Sequence, residues 1–258
     1  MGREATPTGE ETIKGSAIAR LRAQYSAKPF AADVPEWEKN EYVRTVMEEF
    51  EQNGILKLME RRPVKIIMSS VGVGERETAF VKALDEMLGR NNGKVHKPTI
   101  FFTDFATREG EGNKPPKSIM RWPKPLPKNV DLKLVAGDMA RIPLPDNSVD
   151  VLCERLGGLW HAAEVDQRYS RGKKKQSCTR AMLAEYQRVI RPGGIILLDS
   201  RTSDSPRVPP TLAKIRSLTN GAPQELLEEF GFGVRCAEGK PPQTESFATF
   251  TKPEGGKT

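Results

Sequence analysis

The chain alternates between short apolar runs, typical of buried strands, and longer segments in which apolar residues recur at helical spacing. The apolar runs predict five strands, at 64–68, 99–103, 132–136, 149–153 and 195–199. The helically spaced segments predict three helices, at 36–60, 77–88 and 178–190, and Gly54 marks a break in the first of them. Because strands that alternate with helices form a parallel sheet covered on both faces, this order predicts an α/β fold.

The end of the chain shows a different pattern, in which one short helix is followed by two short strands. Pro223 opens the helix and Gly231 closes it. The runs GVRCA and SFATFT, at 233–237 and 246–251, predict the two strands. The sequence RPGG at 191–194 carries proline and glycine stop signals, so we expect it to end the preceding helix before the fifth strand begins.

Composition narrows the class of protein. The chain has 258 residues, of which 37% are hydrophobic and 29% are charged, and no apolar run reaches the length of a membrane span. The first residues are polar and lack the apolar core of a secretory signal, so we predict a cytoplasmic protein without a membrane span. Three separated cysteines and two histidines, with no Cys-x-x-Cys pair, predict no metal site.

The formal net charge of +7 is concentrated in two segments. Residues 106–130, rich in proline and lysine, have a net charge of +4, and RYSRGKKK at 168–175 has +5, which leaves −2 for the rest. Two interpretations stay open. Either Lys173, Lys174 and Lys175 attract nucleic acid or another phosphate-bearing partner, or they belong to a solvated loop.

Candidate functional residues follow the predicted strands, where a parallel sheet binds its ligands. Gly72 and Gly74 follow the first strand, Asp104 the second, Asp138 the third and Glu154 the fourth. Glycines let a ligand approach the backbone, and a carboxylate after the second strand is placed to accept hydrogen bonds from ribose hydroxyls. A carboxylate after the third strand can accept a hydrogen bond from an exocyclic amine. One such aspartate alone is typical of a helix cap, whereas the four positions together favour a nucleoside ligand.

Two longer motifs carry a resemblance to a known family. The stretch LVAGDMARIPLPDNSVDVL, at 134–152, combines Gly-Asp, Ile-Pro and Pro-Asp-x-x-Val-Asp with an apolar strand. The stretch AEYQRVIRPGGIILLDS, at 184–200, joins a helix, a Pro-Gly-Gly turn and a strand. From about residue 60 to residue 252 the chain resembles class I S-adenosylmethionine-dependent methyltransferases, of the small-molecule type related to ubiquinone and menaquinone methyltransferases.

The resemblance implies a fold, a cofactor and a set of site residues. The fold is a Rossmann-like sheet of seven mostly parallel strands, with helices on both faces and an antiparallel last strand. The cofactor is S-adenosylmethionine, and the reaction is methyl transfer. The implied cofactor-binding positions are Ser70, Gly72 and Gly74 at the methionine and ribose, Asp104 at the ribose, Asp138 and Met139 at the adenine, and Glu154 facing the methyl group. We expect residues 1–60 to form a tail and helical extension and residues 61–258 the methyltransferase domain, with a basic insertion at 106–130.

The first loop departs from the family's pattern, in which an acidic residue and a spacer precede three alternating glycines. Aligning on Gly72 and Gly74 places Met68 at the acidic position and Ser70 at the first glycine. The lost charged hydrogen bond corresponds to about 1.5–3 kcal/mol, so the sequence is compatible with weakened cofactor binding as well as with none. A dinucleotide loop of the form G-x-G-x-x-G fits less well, because its third glycine falls at Glu77.

Three functions therefore stay open at the level of sequence. The first is a methyltransferase whose acceptor is a small molecule, anionic if the basic segments rim the pocket. The second is an RNA methyltransferase that uses 106–130 and 168–175, and the third is a catalytically inactive binding protein. His161, after the fourth strand, is either a general base for an acceptor that must lose a proton or a packing residue beside Trp160.

Overall fold

The computed structural model describes most of the chain from residue 41 onward. The described residues are 41–69, 75–90, 95–104, 125–136, 139–154, 158–159, 162–163, 166, 178–199, 223–234 and 247–254. The predictions for residues 1–40, for most of the basic insertion and for the basic segment at 168–175 therefore lie outside the described residues. Within the described ranges, no helix combines the length and the apolar character that crossing a membrane requires.

Seven strands form one sheet in the order β3-β2-β1-β4-β5-β7-β6. Their bounds are β1 Lys65–Ser69, β2 Thr99–Asp104, β3 Asp131–Ala136, β4 Val149–Glu154, β5 Ile190–Asp199, β6 Gly233–Val234 and β7 Phe247–Thr251. Strands β1 to β5 pair in parallel, whereas β7 runs antiparallel to both of its neighbours, β5 and β6. The predicted α/β fold, with its mostly parallel sheet and its antiparallel last strand, is confirmed.

Five helices accompany the sheet in the described part of the chain. Their bounds are α1 Glu41–Gln52, α2 Ile55–Met59, α3 Glu75–Arg90, α4 Cys178–Val189 and α5 Pro223–Glu229. The single helix predicted over 36–60 is divided at Gly54, whose φ of 70° lies in the left-handed region. Because a residue with a side chain is strained in that conformation, glycine at this position allows the chain to break the helix and start a new one.

Different helices cover the two faces of the sheet. On one face, α1, α2 and α3 bury apolar side chains against Ile66, Met68 and Cys153. On the other face, α4, α5 and the segment before β4 pack on Ile67 and Leu152. Since successive strand residues point to opposite faces, a strand covered on both sides has no polar alternation. This explains why β1 and β4 appear in the sequence as continuous apolar runs, and Cys153 of β4 is a buried free thiol.

The predicted start of β5, after the RPGG sequence, is wrong. Helix α4 does end before it, at Val189, but β5 already starts at Ile190 rather than at Ile195. Ile190 pairs with Val149 and Ile195 pairs with Val151, so the extra residues of β5 bulge out between two points of the ladder. The bulge is held by the β7 side of the sheet, because the Gly193 N–H donates to the carbonyl of Lys252 at 2.7 Å.

A buried charge cluster closes the amino edge of the sheet. The Asp150 carboxylate, 1% exposed, accepts two hydrogen bonds from the Arg62 guanidinium at 2.5 and 3.3 Å and one from the Lys65 backbone N–H at 2.8 Å. Arg191 Nε lies 3.0 Å from the same carboxylate, as an ion pair without hydrogen-bond geometry. Burial lowers the pKa of Arg191, Asp150 raises it, and the neighbouring Arg62 lowers it. Asp150 therefore separates two cations that would otherwise repel each other.

Candidate active site

The carboxyl edge of the sheet has a switch point between β1 and β4. From β1 the strand order runs outward through β2 and β3 on one side and through β4 and β5 on the other. Open α/β sheets bind their ligands in the crevice that such a reversal creates. The register pairs Ser69, the last residue of β1, with Glu154, the last residue of β4. These two side chains therefore lie next to each other at the base of the crevice.

The Glu154 carboxylate is buried, with 1% of the residue exposed, and both of its oxygens accept hydrogen bonds. Oε1 accepts from the backbone N–H of Leu159 at 2.9 Å, and Oε2 accepts from the Tyr186 hydroxyl at 2.7 Å. The first bond closes the chain back on itself directly after β4, and the second ties this turn to α4. Glu154 thus holds the segment that follows β4 from two sides.

Tyr186 completes a buried polar group with Ser69 and Glu154. Burial raises the pKa of the Tyr186 hydroxyl well above its usual value, and the charge of Glu154 and its hydrogen bond raise it further. The Ser69 hydroxyl lowers this pKa, although it forms no well-aligned hydrogen bond within the described residues. Since a buried hydroxyl is normally hydrogen-bonded, the end of β1 fits a ligand that brings a polar group.

Because the pKa of Tyr186 is raised, this residue makes the stability of the fold depend on pH in the alkaline range. The unfolded chain releases this proton at about pH 10, before the folded protein does. The stabilisation by the protonated Tyr186 hydroxyl is therefore fully present below about pH 10. As pH rises toward the folded-state pKa, this stabilisation is lost by up to about 1.4 kcal/mol per pH unit. We expect Tyr186→Phe to remove this dependence, measured as free energy of unfolding in urea from pH 7 to 11.

At neutral pH the same Tyr186→Phe variant should lose about 1.5–3 kcal/mol of stability, because Glu154 loses a hydrogen-bond donor. The difference between wild type and variant should stay constant from pH 7 to 9 and then shrink. A difference that stays constant up to pH 11 would show that the hydroxyl is not held as the structure places it.

The end of the second strand places one further predicted residue, Asp104, at the same edge. Strand β2 ends at Asp104, whose backbone pairs with Ala136 at the end of β3. Ala136 precedes Asp138 by two residues in the sequence. Met139 is 1% exposed and belongs to the core on the α4 face. The other predicted residues, namely Ser70, Gly72, Gly74, Asp138, His161, Lys173, Lys174 and Lys175, lie outside the described residues.

Met68, at the position where the family's pattern has an acid, is a core residue. It is 1% exposed and packs among the apolar side chains of the α1 and α3 face. A carboxylate there would be buried in an apolar environment at a cost of several kcal/mol unless it found a partner. Met68 pairs with Cys153 on β4, and the carboxylate of Glu154, one residue further along, lies on the opposite face.

The segment between β3 and β4 is fastened to α4 by residues that the sequence did not single out. Glu185 Oε1 accepts from the Ile142 backbone N–H at 2.7 Å, and the Arg188 guanidinium donates to the Ile142 carbonyl at 2.8 Å. The hydrogen bonds with Glu185 and then with Asp146 raise the pKa of Arg188, so it is a permanent cation. The one feature of the sequence that could have indicated these contacts is the spacing of Glu185 and Arg188, three residues apart on the helix just before RPGG.

A distant aspartate caps the start of α4. Asp166 accepts hydrogen bonds from the backbone N–H groups of Cys178 and Thr179, both at 2.9 Å. Side-chain oxygens at this position satisfy donors that have no partner within the helix. Asp166 and Cys178, which flank the basic segment 168–175 in the sequence, therefore lie close together.

Comparison with known proteins gives structural likenesses only. No family model matches the sequence, and no curated protein matches it significantly. A loganic acid methyltransferase with S-adenosylhomocysteine is 13% identical, with 76% of this chain and 72% of that chain covered and a TM-score of 0.45. A methyltransferase from Methanosarcina mazei, dependent on S-adenosylmethionine, is 12% identical, with 78% and 98% covered and a TM-score of 0.43. These values are too low to carry an argument. The assignment of the fold as Rossmann-like rests instead on the strand order and registers given above.

Proposed function

We propose that this chain is an S-adenosylmethionine-dependent methyltransferase whose acceptor is a small molecule. The observation that carries the proposal is the switch point between β1 and β4, where the buried Ser69 hydroxyl lies beside the buried Glu154 carboxylate. The Gly-rich stretch at 70–74 follows Ser69 directly in the sequence. The strand order with an antiparallel β7 is the arrangement that the resemblance of 134–152 and 184–200 implies.

The residues at the strand ends suit the parts of this cofactor. Asp104 would accept hydrogen bonds from the ribose hydroxyls, and Asp138, followed by Met139 in the sequence, would accept one from the adenine amine. Ser70, Gly72 and Gly74 let the methionine part approach the backbone closely. When bound, the cofactor supplies a methyl group already activated by its attachment to a sulfonium, so alignment of the acceptor provides most of the rate.

Glu154 has a positioning role in this proposal. Since its two oxygens bind Leu159 and Tyr186, the carboxylate braces the residues after β4 instead of touching the methyl group. His161 follows Leu159 by two positions in the sequence and would take a proton from the acceptor where the acceptor atom carries one. A change at Glu154 should therefore act on the placement of 155–161 rather than on the chemistry directly.

An RNA acceptor is the second candidate, favoured by one observation. Asp166 caps the start of α4, and the sequence between Asp166 and Cys178 contains Lys173, Lys174 and Lys175. Five basic residues within 168–175 concentrate positive charge in the sequence, and such charge attracts phosphate backbones. The small-molecule assignment is preferred because it needs no partner beyond the crevice itself.

A labelling experiment separates the acceptor classes. The purified chain is incubated with tritium-labelled S-adenosylmethionine and, in separate reactions, with the small-molecule fraction of a cell extract or with total RNA. We expect label to enter small molecules and to resist ribonuclease. Label that is sensitive to ribonuclease, and that is lost in a K173A/K174A/K175A variant, would assign RNA instead. Absence of transfer to either fraction would contradict the enzyme proposal and favour a binding protein.

A further inference from the structure

We propose that Arg188 of α4 is a positioning residue for the adenine side of the cofactor site. It acts through the segment 139–148, which begins next to Asp138 and ends at β4. The inference rests on the proposed function, because it assigns a role in cofactor binding to a residue that does not itself reach the sheet edge where the cofactor would lie.

Arg188 holds this segment with the two terminal nitrogens of its guanidinium and binds Glu185 on its own helix with Nε. Nη1 donates to the Leu144 carbonyl at 3.0 Å and to Asp146 at 2.5 Å, and Nη2 donates to the Ile142 carbonyl at 2.8 Å. Nε and Nη2 also bind Glu185, at 2.9 and 2.6 Å. A planar fork that contacts two carbonyls and two carboxylates fixes the segment in one orientation, which the single ammonium group of a lysine cannot do.

The backbone of α4 takes part in the same arrangement. The carbonyl of Arg188 accepts from the Asn147 N–H at 2.8 Å, and the carbonyl of Val189 accepts from the Ser148 N–H at 2.9 Å. Glu185, only 13% exposed in its side chain, accepts from the Ile142 N–H. The segment is therefore anchored to the helix at both Ile142 and Asn147, and five of its backbone groups bond to α4.

Met139 connects this anchor to the candidate site. It is 1% exposed, it lies three residues before Ile142, and both side chains pack in the core on the α4 face. A shift of the segment along α4 would move Met139 and the adjacent Asp138 together. Because a displacement far from a bound group changes its alignment, such a shift should weaken contacts with the adenine without altering any group that touches it.

The test compares Arg188→Met with Arg180→Met, a matched control on the same helix. Arg180 pairs with Glu229 at 2.5 Å and lies over the Phe230 ring, so it fastens α4 to α5 and not to 139–148. We expect Arg188→Met to lose more thermal stability than Arg180→Met, because the Arg180–Glu229 pair is exposed and contributes little. Only Arg188→Met should bind S-adenosylhomocysteine about tenfold more weakly, which is the scale of one misplaced hydrogen bond.

Two further measurements distinguish positioning from a general loss of stability. Adenosine, used as a probe, should lose the same factor in affinity as S-adenosylhomocysteine, since the defect lies on the adenine side. Hydrogen exchange should rise at the amides of Ile142, Asn147 and Ser148 in Arg188→Met and not in Arg180→Met. If Arg188→Met does not fold, Arg188→Lys serves in its place, with the same direction of change in both measurements.

The outcomes separate this inference from the proposed function. If the wild-type protein binds neither probe, the proposed function is overturned, and the inference with it. If the wild type binds both probes and the Arg188 variant binds them equally tightly while its exchange rises, the inference alone is wrong. Equal losses of affinity in the Arg188 and Arg180 variants would also overturn it, because they would indicate a purely structural effect.

Discussion

Replacing Asp104 by alanine is expected to weaken binding of S-adenosylmethionine by about 10- to 100-fold. The residue ends β2 beside the end of β3, at the carboxyl edge where the proposed ribose contact lies. Each hydrogen bond to a charged group contributes about 1.5–3 kcal/mol, and a factor of ten in the dissociation constant corresponds to about 1.4 kcal/mol. Isothermal titration calorimetry of the wild type and Asp104→Ala measures the change.

Asp131→Ala is the matched control for this experiment. Asp131 starts β3 at the opposite edge of the sheet, is exposed, and pairs only with the exposed Lys133 at 3.5 Å among the contacts described. An exposed ion pair contributes little, so this variant should bind the cofactor as the wild type does. If Asp104→Ala also binds with unchanged affinity, the assignment of the ribose site to the end of β2 is wrong.

Replacing Asp150 by alanine is expected to cause the largest loss of stability, about 3–5 kcal/mol. The change removes the buried partner of Arg62 and Arg191 and leaves the Lys65 N–H without its acceptor. The loss is a few kcal/mol because the Lys65 N–H is left unsatisfied and the two guanidinium groups, 33% and 28% exposed, lose their shared carboxylate. Urea unfolding followed by circular dichroism gives the free energy of unfolding for both proteins.

Glu86→Ala provides the comparison for an exposed pair. Glu86 binds Arg90 at 3.1 Å one turn along α3, and its side chain is 54% exposed. Such helix pairs contribute about 0.3–0.5 kcal/mol. The loss of stability in Asp150→Asn should lie between those of Asp150→Ala and Glu86→Ala, because the amide keeps an acceptor oxygen but loses the charge. An Asp150→Ala loss no larger than that of Glu86→Ala would show that the amino-edge cluster does not stabilise the fold.

The elements that sequence reasoning predicted well are those with a local cause. The unbroken apolar runs of β1 and β4 follow from burial on both faces, and Gly54 and Gly231 mark chain breaks where the backbone has a positive φ. Each of these signals is contained within a few neighbouring residues. The prediction that the candidate residues after the strands lie at one edge of the sheet then followed from the rule that parallel strands end at the same edge.

The contacts that build the candidate site were not predictable in the same way. Glu154 and Tyr186 are 32 positions apart, and Arg188 reaches Ile142 across 46. In the sequence, Tyr186 belongs to the apolar stripe of its helix, and nothing local shows that its hydroxyl meets a buried carboxylate. The early start of β5 was missed for a related reason, since its first pairs depend on Val149 and on the β7 side of the sheet.

Met68 shows how the structure changes the interpretation of one departure from a family pattern. In the sequence it is a missing acid in the first motif, whereas in the fold it is a core residue whose neighbour, Ser69, faces Glu154. The carboxylate of Glu154 lies on the opposite face from Met68 and binds Leu159 and Tyr186. Whether this arrangement still holds the cofactor is the question on which the proposed function depends.

The most direct test is a calorimetric titration of the wild-type protein with S-adenosylmethionine and, separately, with S-adenosylhomocysteine. The account predicts that each binds at one site per chain, with a dissociation constant between about 1 μM and 1 mM, the usual range of enzyme substrates. Absence of binding by both ligands at about 1 mM, with the protein shown to be folded by circular dichroism, would contradict it.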